Sequence, residues 1–197
     1  RYRHADYISE YINVTGGCRK TCGQPKEYRR LIHVYGRCGV FGYAVEDMDT
    51  MPSVLQRLFN QEGQKIRVVN HGLWGADNEK ILHNLSADIA EGIIEPDDQV
   101  ILYMDYLPCM NQIRNLHVHI CDSTYSFHQF MKRKTVFYDR PGHMTAEGYQ
   151  FMAEYIYKYI KRPAKPKTDH IAKQDLHMFL SYAEQVKNVE ETEQDGS

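Results

Sequence analysis

The middle of the chain alternates between short apolar strands and amphipathic helices, and this order constrains the fold more than any other feature. The predicted strands cover residues 31–35, 66–70, 99–104 and 134–138, and the clearest helices cover about 50–59, 77–91 and 145–160. Strands that alternate with helices imply right-handed crossovers and a mainly parallel sheet. The sequence therefore predicts an α/β domain, built as a three-layer α/β/α sandwich with a mainly parallel sheet.

Shorter segments flank this predicted core domain. Before it, residues 7–22 have the pattern of a β-hairpin that turns at Thr15-Gly16-Gly17. After it, a linker leads into a predicted helix over residues 169–187 and an acidic tail. We expect this helix to dock on its own domain or to contact another subunit in a homo-oligomer, because it carries a partial apolar stripe. The predicted division is a hairpin and linker over 1–30, the core domain over 31–162, and a linker, helix and acidic tail over 163–197.

Charge and hydropathy argue against two classes of partner. The 197 residues carry 24 Lys and Arg against 26 Asp and Glu, a formal charge of −2. Surfaces that bind nucleic acid are normally basic. No apolar run approaches the roughly 20 residues that span a bilayer. We therefore expect neither a nucleic acid nor a membrane as a partner.

The five cysteines are an odd number, so they cannot all pair within the chain. Cys18 and Cys22 have a C-x3-C spacing that could form a small disulfide or half of a metal site. A zinc site needs about four ligands, and no second pair with suitable spacing completes this one. His117 and His119 alternate with apolar residues, which indicates a strand edge. The favoured interpretation is reduced thiols in a cytoplasmic protein, with no metal or other cofactor.

Two strand ends carry residues suited to catalysis. Gly36-Arg37-Cys38-Gly39 follows the first core strand, and Asp139 and His143 follow the last. Open α/β sheets build their sites at the carboxyl ends of the strands. A histidine can take the proton of a thiol, and an aspartate can orient that histidine. We therefore predict acyl transfer or ester hydrolysis, with Cys38 as nucleophile, His143 as base and Asp139 as the orienting acid.

These segments resemble blocks of the SGNH (GDSL-like) hydrolase family, over about residues 31–160. Gly36-Arg37-Cys38 stands where the family has Gly-x-Ser, so a cysteine replaces the nucleophilic serine. The run from Val40 to Thr50, followed by Leu55-Gln56, is similar to the start of bacterial members. The segment Asn70-His-Gly-Leu-Trp-Gly75 resembles the family's second block. Asp139…His143, followed by Met144-Thr-Ala-Glu-Gly148, resembles the last block.

The resemblance implies an SGNH/flavodoxin-like fold and a hydrolase or acyltransferase. The acyl group would be an acetyl group on a carbohydrate or other small ester. By the match, the backbone N–H groups of Cys38 and Gly75 form the oxyanion hole. The family's third block, Gly-x-Asn-Asp, falls at residues 102–105, where Met104 replaces the asparagine. Asn70 or Asn111 could supply the missing donor.

Other residues in the same loops are candidates for substrate contacts. Arg37 could bind an anionic group, His71 and Trp74 could line a pocket, and Asp105 follows the third strand. Each has an alternative as a packed or solvated side chain. The alternative function is a catalytically degenerate binding or scaffolding module. The cysteine in place of serine, Met104 and an Asp-to-His spacing one residue longer than usual favour that alternative.

Overall fold

The computed structural model describes residues 1–95, 97–104, 117–122 and 143–161. Seven strands lie in these ranges: β1 (Tyr7–Ile8), β2 (Asn13–Thr15), β3 (Cys18–Arg19), β4 (Arg30–Gly36), β5 (Ile66–Gly72), β6 (Gln99–Met104) and β7 (His117–Asp122). The helices in the same ranges are α1 (Cys38–Phe41), α2 (Met51–Gln61), α3 (Asn78–Ala90) and α4 (Ala146–Lys161), with a 3₁₀ turn at Asp47–Asp49.

The seven strands form one sheet in the order β1-β2-β3-β5-β4-β6-β7. Strands β5, β4, β6 and β7 are parallel to one another, whereas β1, β2 and β3 pair antiparallel and β3 pairs antiparallel with β5. The pair Arg19↔Asn70 joins β3 to β5, so the N-terminal hairpin extends the central sheet. The predicted α/β class is confirmed. A mainly parallel sheet stays a prediction, because the strand predicted at 134–138 lies outside the described residues.

Helices cover both faces of the central strands, since successive side chains of a strand point to opposite faces. One buried cluster joins Ile32 and Val34 of β4 to apolar residues of α2 and α4. The other joins Tyr35 of β4 to apolar residues of α3. We call these the α2/α4 face and the α3 face. The complete layering of the domain stays a prediction.

The helices begin close to the residues that the sequence predicts, and capping side chains lie at these positions. Thr50 accepts a hydrogen bond from the Ser53 N–H at the start of α2, and the Asp77 side chain caps α3. The Thr145 hydroxyl accepts the Gly148 N–H at the start of α4. Side chains of this type satisfy N–H groups that have no partner within the helix.

The predicted element bounds need two corrections. Strand β7 is not among the four core strands that the sequence predicts, although it pairs with β6 over its whole length. Only the alternation around His117 and His119 indicated this strand. The short helix α1 directly after β4 was not predicted, because four residues are too few to show a helical period. The proposed domain boundaries stay predictions, and the helix predicted at 169–187 lies outside the described residues.

Candidate active site

Cys38 is the first residue of α1 and lies at the carboxyl end of the central strands. Strand β4 ends at Gly36, and Arg37 alone separates it from Cys38. Two glycines allow this close approach. A Cβ on Gly36 would lie 2.4 Å from the Tyr103 carbonyl oxygen, and a Cβ on Gly72 would lie 2.1 Å from the Phe41 nitrogen. The half-buried Cys38 is therefore placed at the edge of the sheet where the sequence predicts the nucleophile.

A buried arginine holds the far end of α1. Arg19 forms an ion pair with Asp47 at 3.0 Å and donates to the carbonyl oxygens of Phe41 and Gly42. It also donates to the Val45 carbonyl oxygen at 2.6 Å. The last carbonyl groups of a helix have no partner within it, so Arg19 satisfies the end of α1 and the turn behind it. This role was not predicted, because its partners are 22 to 28 residues away in sequence.

Asn70 anchors α1 from the sheet. Its amide nitrogen donates to the Val40 carbonyl oxygen at 3.0 Å, and its amide oxygen accepts the Gly72 N–H at 2.8 Å. The residue is completely buried. We assign Asn70 a positioning role for the Cys38 loop, since a fully buried amide does not contact substrate in this conformation. Its donation to an oxyanion stays a prediction.

His143 contacts the loop that follows Cys38. Its ring packs against Tyr43 with 4.3 Å between the ring centroids, and the residue is buried. The hydroxyl of Tyr149, on α4, donates to the Cys38 and Tyr43 carbonyl oxygens at 3.5 and 3.2 Å. The segment that carries the predicted base is thus bonded directly to the segment that carries the predicted nucleophile. Tyr43 and Tyr149 were not singled out from the sequence.

The loop after β5 forms another side of the site. Gly75 is exposed and has a φ of 74°, as a glycine in a tight turn readily adopts. Trp74 is 55% exposed, and its ring centroid lies 5.6 Å from that of Tyr43. The Arg37 side chain donates to the Ala76 carbonyl oxygen at 2.7 Å, so it ties this loop to α1. The oxyanion role of Gly75 and the substrate contacts of Arg37 and Trp74 stay predictions.

The N-terminal segment also contacts this loop. Nε2 of His4 accepts the Trp74 N–H at 3.0 Å, and its ring lies 4.6 Å from the Phe41 ring. Burial lowers the pKa of His4 below its ordinary value. A neutral His4 suits this contact, because the accepting nitrogen carries no proton. His4 is a further residue of the site that sequence reasoning missed.

His71 faces away from the Cys38 loop. Strand β5 runs to Gly72, two residues beyond its predicted end, so side-chain alternation extends through His71. The His71 ring stacks on Tyr35, on the α3 face, with 4.4 Å between centroids and an angle of 3° between the planes. A contact between His71 and a substrate bound at Cys38 stays a prediction that this placement does not favour.

The remaining predicted site residues are not described. Asp139, Asp105 and Asn111 lie outside the described residues, and Met104 is the last residue of β6. Cys18, Cys22 and Cys38 are free thiols. Within the described ranges, no helix combines the length and apolar character needed to cross a bilayer. The described part of the site thus joins the His143 ring and the exposed Trp74 ring through Tyr43, in the loop that follows Cys38.

The chain is similar in structure to two solved proteins of lipolytic type. The lipase/acylhydrolase from Enterococcus faecalis shares 16% sequence identity over 71% of this chain and 100% of its own, with a TM-score of 0.48. A member of the lipolytic protein G-D-S-L family from Veillonella parvula DSM 2008 shares 13% identity over 86% of this chain and 85% of its own, with a TM-score of 0.34. No family profile and no curated protein matches the sequence. Neither similarity establishes the activity of this chain.

Proposed function

We propose that the protein is an SGNH-like esterase or acyltransferase that uses Cys38, His143 and Asp139 on a small acyl ester. The main support is the bond between α4 and the nucleophile loop. The Tyr149 hydroxyl contacts the Cys38 and Tyr43 carbonyl oxygens, and the His143 ring packs on Tyr43. The Cys38 loop and the His143 segment are therefore neighbours although more than a hundred residues separate them in sequence, which supports pairing the two as nucleophile and base.

In the proposed reaction, Cys38 transfers its proton to His143 while its sulfur attacks the ester carbonyl. The leaving alcohol takes that proton, and water or an acceptor alcohol then releases the acyl group. Asp139 would orient the imidazole. The N–H groups of Cys38 and Gly75 would face the oxyanion. Loss of one oxyanion donor costs roughly 10²–10³ in rate, so we expect slow turnover where Met104 replaces the family's asparagine.

The exposed aromatic surface next to the nucleophile supports a small or carbohydrate ester. Trp74 lies beside Tyr43, which in turn packs on His143. Rings with one apolar face and a polar edge suit ligands that have both apolar and polar surface. An acetyl ester of a sugar fits that description. The acetyl group and the sugar come from the family resemblance, so they belong to this proposal.

The test is hydrolysis of p-nitrophenyl acetate together with mass spectrometry of the Cys38 peptide. We expect turnover in the wild type, none at this site in Cys38→Ala, and a fall of roughly 10²-fold in His143→Gln, the usual range for a general base. His83→Gln is the matched control, because His83 is an exposed histidine on α3. Cys38→Ser, which restores the family nucleophile, should remain active. Equal rates in the wild type and Cys38→Ala would contradict the proposal.

The second candidate function is a binding module, which the exposed Trp74 favours. Trp74 is the single tryptophan of the chain, so its fluorescence reports directly on this loop. An acetylated monosaccharide that changes this fluorescence, with no turnover in the wild type or in Cys38→Ser, would favour binding over catalysis.

We further propose that the helix at 169–187 mediates docking or self-association, that neither nucleic acid nor membrane is a partner, and that the protein is cytoplasmic.

A further inference from the structure

A partly buried chain of hydrogen-bonding side chains on the α3 face ends at a second cysteine. Cys18 Sγ lies 3.7 Å from His71 Nδ1, and His71 Nε2 lies 2.9 Å from His33 Nδ1. His33 Nε2 lies 3.3 Å from Asp98 Oδ2, which also accepts the Glu95 N–H at 2.9 Å. Strands β3, β5 and β4 and the turn before β6 therefore place a thiol, two imidazoles and a carboxylate in one continuous line.

The carboxylate at one end fixes the direction of every hydrogen bond. An ionised carboxylate only accepts, so His33 must donate to Asp98 from Nε2. A neutral imidazole has one N–H, so His33 Nδ1 accepts the Nε2–H of His71. His71 Nδ1 then carries a lone pair that faces the Cys18 thiol. The arrangement gives Cys18 a base, and it gives that base a path for its own proton toward Asp98.

Burial favours the neutral forms of the Cys18 thiol and of the two imidazoles at rest. It lowers the pKa of His71 to about 3, with a further lowering by His33 and the charges of Arg3 and Arg1. Burial also lowers the pKa of His33, although Asp98 opposes that effect. The pKa of the Cys18 thiol is raised by burial and by Asp88, and lowered by Arg3. The thiol is therefore protonated at rest, and it becomes a nucleophile only as His71 removes its proton.

A pocket gives this thiol access to a ligand. The pocket has a volume of about 190 Å³ and is lined by Cys18, His71, Arg3, Gly17 and Leu73 among other residues. Asp88 also faces His71 Nδ1, at 3.8 Å, but its oxygens are bonded to the Tyr35 hydroxyl and to Arg1. Among the described residues, no group of three His, Cys, Asp or Glu side chains is placed to hold a metal ion. The cluster thus fits proton transfer better than metal binding.

We propose that Cys18 is a second acyl-accepting thiol, which His71, His33 and Asp98 serve as a proton relay, and that it takes the acyl group of an activated carboxylic ester. The Cys18 sulfur bonds to the carbonyl carbon, and the bond between that carbon and the leaving oxygen breaks. The thiol proton moves to His71 Nδ1 as the Nε2 proton of His71 moves to His33 Nδ1. As the alcohol leaves, it takes the proton from His71 Nδ1, and the proton on His33 Nδ1 returns to His71 Nε2. The products are a thioester and an alcohol, and no oxidant or reductant is needed.

The test measures acylation of Cys18 by p-nitrophenyl acetate in a Cys38→Ala background, so it does not depend on the proposed function of Cys38. Quantitative peptide mass spectrometry follows the hydroxylamine-labile adduct. Cys22 is the internal control, because it lies four residues away and is likewise a half-buried free thiol. We expect Cys18 to react about tenfold faster than Cys22, which is less than the 10²-fold of a general base with a pKa near the working pH, because burial lowers the pKa of His71.

Two substitutions test the relay itself. His71→Gln keeps an amide that can donate toward His33 but cannot accept the thiol proton, so Cys18 acylation should fall to the Cys22 rate or below. Asp98→Asn keeps an acceptor for the Glu95 N–H and removes the charge, so acylation should fall several-fold even if His71→Gln does not fold. A Cys18 rate at or below that of Cys22 in the parent protein would overturn the proposal. A Cys18 rate unchanged in both variants would also overturn it.

Discussion

Acidification should destabilise the folded protein through His71. In the unfolded chain this imidazole binds a proton as the pH falls through its ordinary pKa of 6.5, whereas burial lowers the folded-state pKa to about 3. Between these two values the unfolded state binds more protons than the folded state. The free energy of unfolding therefore rises with pH in this window, and it falls when the pH is lowered.

The magnitude follows from the two pKa values. At about pH 4.5, the unfolded imidazole is almost fully protonated and the folded one is almost fully neutral, which corresponds to a loss of about 2.7 kcal/mol relative to pH 7.5. Such a loss is a large part of the 5–15 kcal/mol that typically stabilises a domain, so roughly a quarter of the total is at stake. His33 changes stability in the same direction, because its pKa is also lowered by burial.

The measurement is urea unfolding at both pH values in the wild type and in His71→Gln, which cannot titrate at this position. Other groups titrate in both proteins, so the informative quantity is the difference between their pH-dependent losses. We expect the variant to lose about 2–3 kcal/mol less than the wild type on acidification. His83→Gln, a substitution on the exposed surface of α3, should lose as much as the wild type. Equal losses in the wild type and His71→Gln would refute the assignment of a neutral, buried His71.

Three further substitutions test how the Cys38 loop is held. Gly72→Ala places a Cβ 2.1 Å from the Phe41 nitrogen, so it should lower the free energy of unfolding in urea by about 3 kcal/mol. Gly75→Ala meets no atom within 4 Å, but its φ of 74° is unfavourable for alanine, so it should cost about 1 kcal/mol. Similar costs for the two variants would argue against close packing of α1 on β5. Arg19→Lys removes the guanidinium that joins Asp47 to the carbonyl groups of α1, and it should lower the free energy of unfolding by about 3 kcal/mol or more; an unchanged urea midpoint would contradict that role.

Local patterns in the sequence predicted most of the described fold. The residues that cap α2, α3 and α4 are Thr50, Asp77 and Thr145, and their signals lie within three residues of the group that they satisfy. The sheet order and the N-terminal pairing were harder. The hairpin joins β5 through the single pair Arg19↔Asn70, a contact between distant segments that no local pattern encodes.

The candidate site shows the same division. Its position was predictable, because a glycine-rich turn after a central strand places Cys38 at the carboxyl edge of the sheet. Its supporting residues were not. Arginine is usually a surface residue, yet Arg19 is buried and donates hydrogen bonds to the end of α1. His71 and Trp74 were both predicted to line a pocket because they lie in one predicted loop. Strand β5 in fact extends through His71, whose side chain therefore points to the α3 face.

The end of β5 supports two cysteines because its side chains alternate between the two faces. Asn70 faces α1, where it bonds the Val40 carbonyl oxygen and helps to fix the Cys38 loop. His71, one residue later, faces α3 and contacts Cys18. The sheet lies between the two groups, and each thiol has its own proposed base, His143 for Cys38 and His71 for Cys18. Loss of one base therefore leaves the other thiol with its proton acceptor, so the two thiols can be tested separately within one chain.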